Sequence, residues 1–204
     1  MPDVSVPTEY GTRRRLTAEE RRARILGAAR TEFARAGYHG ASTASIARAA
    51  GCSEPMLYKH FVGKHALFVA VLEHVSGIVE DGFDHVLSEP GDLLVNLREF
   101  LPKVMHDPAY VESLQLRKLA VTLVHEPSVH QLLTELQERH ELRVGRAIER
   151  AKGEGLVRED VRAEDVAWTW AGLMLAGCYR EALTPGGFAA MLPTVEDFID
   201  GLRR

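Results

Sequence analysis

Apolar side chains recur along this chain at the three- and four-residue spacing that places them on one face of an α-helix. Ile25, Ala29 and Phe33 form the first such stripe. Thr17 and Glu20 precede it with the spacing of an N-terminal capping box, in which side chain and backbone bond to each other. The pattern therefore predicts an amphipathic helix that begins just after Thr17.

Longer stripes of the same period continue through the rest of the chain. They predict helices from Lys64 to about Leu87, from Tyr110 to His125, and from Ser128 to Lys152. Two more are predicted over Ala163 to Leu183 and Phe188 to Leu202. No stretch alternates as a β-strand does, so we expect an all-α protein of about nine helices.

The residues from about 42 to 61 break this pattern, because two short helical segments follow each other closely. Ser42 or Thr43 can cap the first segment, and Gly51 can adopt the left-handed conformation that ends it. Ser53 can cap the second segment, with Pro55 in its first turn. Two short helices joined by a turn of about three residues form a helix-turn-helix, whose second helix can enter the major groove of DNA.

The polar side chains of this segment fit contact with a duplex. Residues of the leading turn can reach base edges: Ser53, Glu54, Pro55 and Met56. Others can donate to phosphate oxygens: Thr43, Tyr58, Lys59, His60 and Lys64. The carboxylate of Glu54 repels phosphate, so we expect it either to accept from a cytosine amino group or to point away from the DNA.

The charge distribution favours the same interpretation. The chain has 204 residues and a net charge of −4, but its first 66 residues carry eleven Lys and Arg against six Asp and Glu. A basic first third on an acidic body is typical of a protein that meets a polyanion. Neither a signal-peptide core nor a membrane span is present in the pattern, so we expect a cytoplasmic protein without a membrane partner.

The stretch from Thr43 to Phe68, TASIARAAGCSEPMLYKHFVGKHALF, resembles the DNA-binding segment of TetR-family transcriptional regulators. Cys52 stands where the family pattern usually has valine. The resemblance implies a homodimer with an N-terminal DNA-binding domain and a larger helical domain that binds a small ligand. It divides the chain into a flexible basic arm at 1–16, a DNA-binding domain at 17–63, and a ligand-binding and dimerisation domain at 64–204.

The last two predicted helices are candidates for the dimer interface. One carries a stripe of small and apolar side chains: Ala171, Gly172, Leu175, Ala176 and Tyr179. The other carries an apolar face: Phe188, Met191, Leu192, Val195, Phe198, Ile199 and Leu202. Four such helices, two from each subunit, can form a bundle, although the same stripes can instead cover the core of their own subunit.

An effector site is expected between helices of the larger domain. Its candidate lining residues are Phe83, Leu101, Met105, Tyr110, Leu114, Trp168, Met174 and Cys178. Four polar side chains are candidates to orient a ligand: His85, His106, His125 and Arg180. We predict no metal or cofactor, since the two cysteines, Cys52 and Cys178, lie far apart and no ligand spacing occurs.

These features predict a ligand-responsive, dimeric DNA-binding regulator, most simply a repressor that is released by a small apolar or aromatic molecule. Two alternatives stay open at this point. One is a helical metal-dependent enzyme that uses the histidines of the core. The other is a protein–protein adaptor that has kept the helix-turn-helix shape without binding DNA.

Overall fold

The computed structural model describes residues 16–204, and within that range the chain is built from helices. Their bounds are α1 Ala18–Gly40, α2 Thr43–Ala49, α3 Glu54–Tyr58, α4 Lys64–Ser88, α5 Leu93–Met105, α6 Pro108–Val121, α7 Pro127–Gly153, α8 Ala163–Leu183 and α9 Leu192–Gly201. A short 3-10 helix, Ala189–Met191, precedes α9. The prediction of an all-α protein is confirmed for this range. The predicted basic arm, apart from Leu16, lies outside the described residues.

The helix ends follow the local signals of the sequence. The Thr17 side chain accepts from the Glu20 backbone and the Glu20 side chain accepts from the Thr17 backbone, as a capping box requires. Gly37 has φ 69° and kinks α1, and Gly51 has φ 68° at the end of α2, conformations that glycine adopts without strain.

Two of these local predictions were wrong. The helix expected to reach His125 ends at Val121, and Pro127 begins α7. Proline is well tolerated at a helix start, where its missing N–H has no partner to lose. Ser53 occupies the position before α3, but its side chain makes no capping hydrogen bond.

Helix α4 joins two hydrophobic clusters. Its first half, with Phe68, belongs to a cluster that contains the buried residues of α1, α2 and α3. The same cluster includes Leu116 and Ala120 of α6 and Val129 of α7. The second half of α4, with Phe83, belongs to a second cluster that includes residues of α5 to α9. The DNA-binding helices therefore share their core with the body, and the boundary predicted at residue 63 stays a prediction.

Two polar contacts reinforce this junction. Arg30 Nε of α1 lies 3.0 Å from Glu112 Oε2 of α6, and His65 Nε2 of α4 lies 2.7 Å from Ser128 Oγ of α7. An ion pair at a partly exposed position contributes little stability, so these contacts chiefly fix the orientation of α1 and α4 against the body.

The apolar face of α9 packs inside its own subunit. Phe188, Met191, Val195, Ile199 and Leu202 are all buried in the described chain. Their prediction as dimer contacts was wrong, because the face they form covers the core together with α5 and α8. Leu192 and Phe198 are partly buried and pack against the same cluster. Among residues 16–204, no helix has both the length and the apolar character needed to cross a lipid bilayer.

We expect Gly177→Ala to destabilise the protein by about 1–3 kcal/mol, because overpacking displaces well-packed neighbours. A Cβ at Gly177 would lie 2.0 Å from Phe188 Cδ2, so the Phe188 ring must move. The control is Gly27→Ala in α1, where a Cβ would meet nothing within 4 Å. That change removes a helix-interior glycine and should be neutral or stabilising by up to about 1 kcal/mol. Urea denaturation measures both, and equal midpoints for the two variants would contradict the packing argument.

Candidate nucleic-acid interface and ligand-binding region

The helix-turn-helix is held together by a small apolar interior. Ile46 and Ala47 of α2, Leu57 of α3 and Phe61 after it are all buried with Phe33 of α1. Because the buried faces of α2 and α3 are occupied in this way, their polar faces are directed outward. The geometry that the sequence predicted for residues 42–61 is thus present in the structure.

A hydrogen bond fixes α2 against α1. The Ser45 hydroxyl donates to Glu32 Oε1 at 2.7 Å, and Arg35 forms a salt bridge with the same carboxylate at 2.9 Å. These two hydrogen bonds, that from Ser45 foremost, lower the pKa of Glu32. The carboxylate therefore stays ionised at neutral pH and keeps the start of α2 in place.

Three of the residues predicted to meet DNA lie together at the start of α2 and along α3. The Thr43 hydroxyl donates to Glu54 Oε1, and the Thr43 hydroxyl oxygen lies 3.2 Å from the Tyr58 hydroxyl. Glu54 thus points towards α2, and its predicted relation to the DNA stays a prediction. Its position in the first turn of α3 also suits a negative charge, because the helix dipole is positive there.

The remaining members of the predicted reading surface are at least partly exposed. Ser53, Pro55 and Lys59 are exposed, and Met56 and His60 are partly buried. The side chain of Ser53 makes no capping bond, so its hydroxyl is available to a partner. The structure contains no DNA, and the role of each residue in binding stays a prediction.

Lys64 stands apart from this group. Its ammonium donates to the backbone carbonyls of Ala41 at 2.9 Å and His39 at 3.4 Å, and lies 4.7 Å from the centre of the Tyr38 ring. Lys64 therefore binds the carbonyl end of α1, where a cation is favourable. A phosphate contact would have to use its remaining N–H, and that contact stays a prediction.

Sequence reasoning missed several exposed side chains beside the motif. Arg22 of α1 lies over the Phe61 ring at 4.8 Å, and Arg24 approaches Gly51 in the turn. Arg48 of α2 is exposed, and Val62 after α3 is 97% exposed. Counting charge in the first third indicated basic residues in general, but only the fold shows which of them lie near the turn.

The candidate pocket residues are mostly in the core of the body. Phe83, Leu101, Tyr110, Leu114, Met174 and Cys178 are buried. Nothing is described of the side chain of Met105. Trp168 was predicted wrongly, since it is 60% exposed, whereas Trp170 is buried and stacks on Phe83 with ring centres 5.2 Å apart. Two positions along a helix turn a side chain by about 200°, so only one of these tryptophans can face inward.

The interior of the body is closed around Phe83 and Trp170. A cavity of about 10 Å³ lies beside Phe83 and Trp170, with Leu97, Ile148 and Phe198 among its other walls. This is about the volume that one water molecule needs, while small-molecule pockets usually have about 300–1,000 Å³. Of the eight predicted lining residues, only Phe83 reaches this cavity. A ligand of ordinary size could bind there only if the helices moved apart.

The polar groups of the interior differ from those suggested by the sequence. The predicted orienting residues, His85, His106, His125 and Arg180, are all exposed. Burial instead raises the pKa of Tyr110 to about 12 and the pKa of Cys178 to about 11. Burial also lowers the pKa of Arg117 and that of His140, whose ring stacks on Phe83 at 5.4 Å. The sequence had named Tyr110 and Cys178 as lining candidates, but its periodicity could not separate Arg117 and His140 from the surface residues of their helices.

The outer face of α8 is exposed and apolar. Trp168, Leu175, Tyr179 and Leu183 are 60%, 42%, 61% and 67% exposed, and Gly172 and Ala176 lie between them. Ala171 is partly buried. Within the described residues, no group of three or more His, Cys, Asp or Glu side chains is arranged to hold a metal ion.

Comparisons with known proteins connect this geometry to a family. Residues 25–71 match the family model of bacterial regulatory proteins, tetR family. The HTH-type transcriptional activator FasR of Mycolicibacterium smegmatis is 47% identical over 72 residues, which cover 34% of this chain and 33% of FasR. The HTH-type transcriptional regulator UidR of Escherichia coli K12 is 42% identical over 55 residues, 27% of this chain and 28% of UidR. The similarity thus spans about a third of the length of these relatives.

Solved structures extend the likeness of fold over most of the chain. GusR of Salmonella enterica has a TM-score of 0.75 and 23% identity, covering 93% of this chain and 99% of GusR. A transcriptional regulator of Saccharomonospora viridis in complex with choline has a TM-score of 0.78 and 21% identity, covering 91% of this chain and 100% of that one. Residues 25–71 therefore match the tetR family of bacterial regulatory proteins, and the chain shares the fold of these solved regulators over most of its length.

Proposed function

We propose that this protein is a ligand-responsive transcriptional regulator that binds a pseudo-palindromic DNA site as a homodimer. The observation that carries the proposal is the outward-facing surface of α2 and α3, where Thr43, Tyr58 and Lys59 lie beside the leading turn of α3. A helix of this kind fits the major groove, and hydroxyl and ammonium donors beside it suit phosphates. The match of residues 25–71 supports the same conclusion.

Dimer formation would use the exposed face of α8. Several large apolar side chains exposed along one helix face typically mark an interaction surface. A two-fold dimer would place two copies of α3 on one side of the duplex, and half-sites are usually about 34–36 Å apart or a multiple of that. We expect the protein to act in the cytoplasm, where it can reach DNA.

Effector binding would occur between the helices of the body. The Saccharomonospora viridis regulator was solved with choline, so a protein of this fold can hold a small molecule. In the present chain the interior is closed, and a ligand that separates α4 from its neighbours would tilt the DNA-binding helices that share its first half. Release of DNA on ligand binding would make the protein a repressor.

The other readings of the sequence have less support. The family and the relatives matched over the first third are transcription regulators, which disfavours the metal-dependent enzyme. FasR is named an activator, so a reporter gene with and without the protein must establish the sign of regulation.

A gel-shift assay with the DNA upstream of the coding region tests the function itself. Absence of DNA binding at low salt would favour the alternative of a protein–protein adaptor.

We expect Lys59→Ala to weaken binding to all DNA sequences alike. Lys59 is exposed beside the end of α3, where its charge can neutralise one phosphate. Loss of that contact should reduce the slope of log K against log salt by about 1. Lys103→Ala is the control, since Lys103 is exposed on α5 in the body. Fluorescence anisotropy at several salt concentrations measures both variants, and an unchanged slope for Lys59→Ala would remove Lys59 from the interface.

We expect Met56→Ala to change sequence preference more than overall affinity. Met56 lies in the first half of α3, where side chains reach base edges rather than phosphates. Loss of one good base contact costs about 1–3 kcal/mol at the base pair it reads. Selection from a randomised DNA library measures the preference, with Lys59→Ala as the control for a phosphate contact. An identical selected motif would show that Met56 does not read bases.

We expect Leu175→Glu to convert the dimer to a monomer. Leu175 is 42% exposed on α8, so the new carboxylate costs little in the monomer but would be buried without a partner in the dimer. The dimer dissociation constant should rise by about 100-fold or more. Val95→Glu on α5 is the control, because Val95 is 40% exposed and lies outside this face. Sedimentation velocity measures both, and a dimeric Leu175→Glu variant would place the interface elsewhere.

A further inference from the structure

The body contains several inward polar groups that the fold does not use. Ser76 Oγ on α4 is buried and has no hydrogen-bond partner among the described residues. In the same part of the chain, neither the Tyr110 hydroxyl nor the Arg117 guanidinium of α6 forms a side-chain hydrogen bond or ion pair, although Tyr110 is only 4% exposed. Buried polar groups are nearly always paired in folded proteins, so the unpaired Ser76 hydroxyl needs an explanation, as does the lack of a partner for the partly exposed Arg117.

These donors lie on facing helices. Tyr110 and Arg117 are seven residues apart and therefore share one face of α6. Near the end of α4, a Cβ at Gly82 would lie 3.8 Å from Cε2 of Tyr110, which is near the start of α6. Earlier in α4, Val75 belongs to the same buried cluster as the later half of α6. The two helices thus run antiparallel, which brings Ser76 to the level of Arg117.

The charges around Arg117 do not balance. The Glu80 carboxylate of α4 acts electrostatically on Arg117. That carboxylate already lies 3.3 Å from Arg139 and 3.1 Å from Arg143 of α7. Asp84 also pairs with Arg143, at 3.1 Å. Glu80 and Asp84 are therefore already paired with arginines of α7, and neither forms an ion pair with Arg117.

The other titratable groups near Arg117 do not supply the missing negative charge. The pKa of Tyr110 is raised to about 12 and that of Cys178 to about 11, so both stay protonated at neutral pH. The lowered pKa of His140 keeps its ring neutral. Arginine itself remains protonated when buried, because its pKa starts far above neutrality. The result is a partly desolvated cation beside the protonated Tyr110 and Cys178, with Glu80 as the carboxylate that acts on it.

We propose that the effector of this protein carries a carboxylate, which binds Arg117 and accepts from the hydroxyl groups of Tyr110 and Ser76. This inference rests on the proposed function and names the chemical class of its ligand. A guanidinium can hold a carboxylate through two parallel N–H···O bonds, which adds a preferred orientation to the attraction between the charges. The apolar part of the effector would pack against Phe83 and Phe100, whose ring centres lie 6.4 Å apart.

Helix α6 connects this site to the DNA-binding helices. Glu112, on the same helix as Arg117, pairs with Arg30 of α1 at 3.0 Å, and Leu116 and Ala120 belong to the cluster shared with α1 to α3. A ligand that draws Arg117 towards itself and separates α6 from α4 would act on both contacts. The effector would therefore alter the orientation of α1 without touching it.

The test uses the full-length protein and a panel of aromatic and medium-chain carboxylic acids, each paired with its primary amide. Thermal shift identifies binders and isothermal titration calorimetry measures their affinity. We expect acids to bind about ten-fold or more tightly than their amides, because only the acid offers a charged acceptor to Arg117. A panel in which no acid raises the melting temperature above its amide would overturn the proposal.

Variants assign the binding to Arg117. Arg117→Met should lower the affinity of the best acid by about ten-fold or more and leave its amide unchanged. Arg146→Met, at an exposed arginine of α7, should keep the acid affinity of the parent. Circular dichroism checks that Arg117→Met is folded; if it is not, Tyr110→Phe replaces it and should also weaken the acid selectively. Unchanged acid affinity in the folded variant would overturn the proposal.

The outcome separates this proposal from the function on which it rests. Acids and amides that bind equally and release DNA in the gel-shift assay would leave a ligand-responsive regulator and reject the carboxylate class. Selective binding of acids through Arg117 without any effect on DNA binding would support the site and reject ligand-responsive regulation.

Discussion

The structure depends on the burial of Phe68 and its neighbours between the DNA-binding helices and the body. Phe68 packs edge-on against Phe33 of α1 at 5.0 Å and against Tyr38 at 5.0 Å, and it shares a cluster with Leu116 of α6 and Val129 of α7. A closely packed interior of this kind transmits displacement, because side chains cannot shift independently. The orientation of α3 is therefore tied to the packing of α6 and α7.

That constraint explains why the polar contacts at the junction matter more for geometry than for stability. Arg30 with Glu112 and His65 with Ser128 each join an element of the DNA-binding half to one of the body. Partly exposed pairs add little free energy, but they select one of the orientations that the apolar contacts allow. A regulator needs such a balance, since a junction that is too stable could not respond to the modest binding energy of a ligand.

Much of the fold and of the DNA-binding surface was predictable, because both are encoded locally. Helix periodicity, the Thr17 capping box and Gly51 lie within a few residues of the features they specify. The errors concern contacts between residues that are far apart in the sequence. Periodicity shows that α9 has an apolar face but cannot say that Phe188 packs in its own subunit, and it could not choose between Trp168 and Trp170. Nor does any local signal reveal that Thr43 donates to Glu54 across the turn.

The polar interior of the body is the part that sequence reasoning was least able to find. Arg117 lies in a helix with several other charged residues, and nothing nearby in sequence marks it as inward-facing. Its partial burial becomes visible only when α4 and α8 pack against α6. A protein that served only as a scaffold would gain stability by replacing an unpaired, partly buried arginine with an apolar side chain of similar volume. Retaining a desolvated charge beside unpaired hydroxyl groups is therefore better explained by a ligand that completes the site than by the stability of the fold.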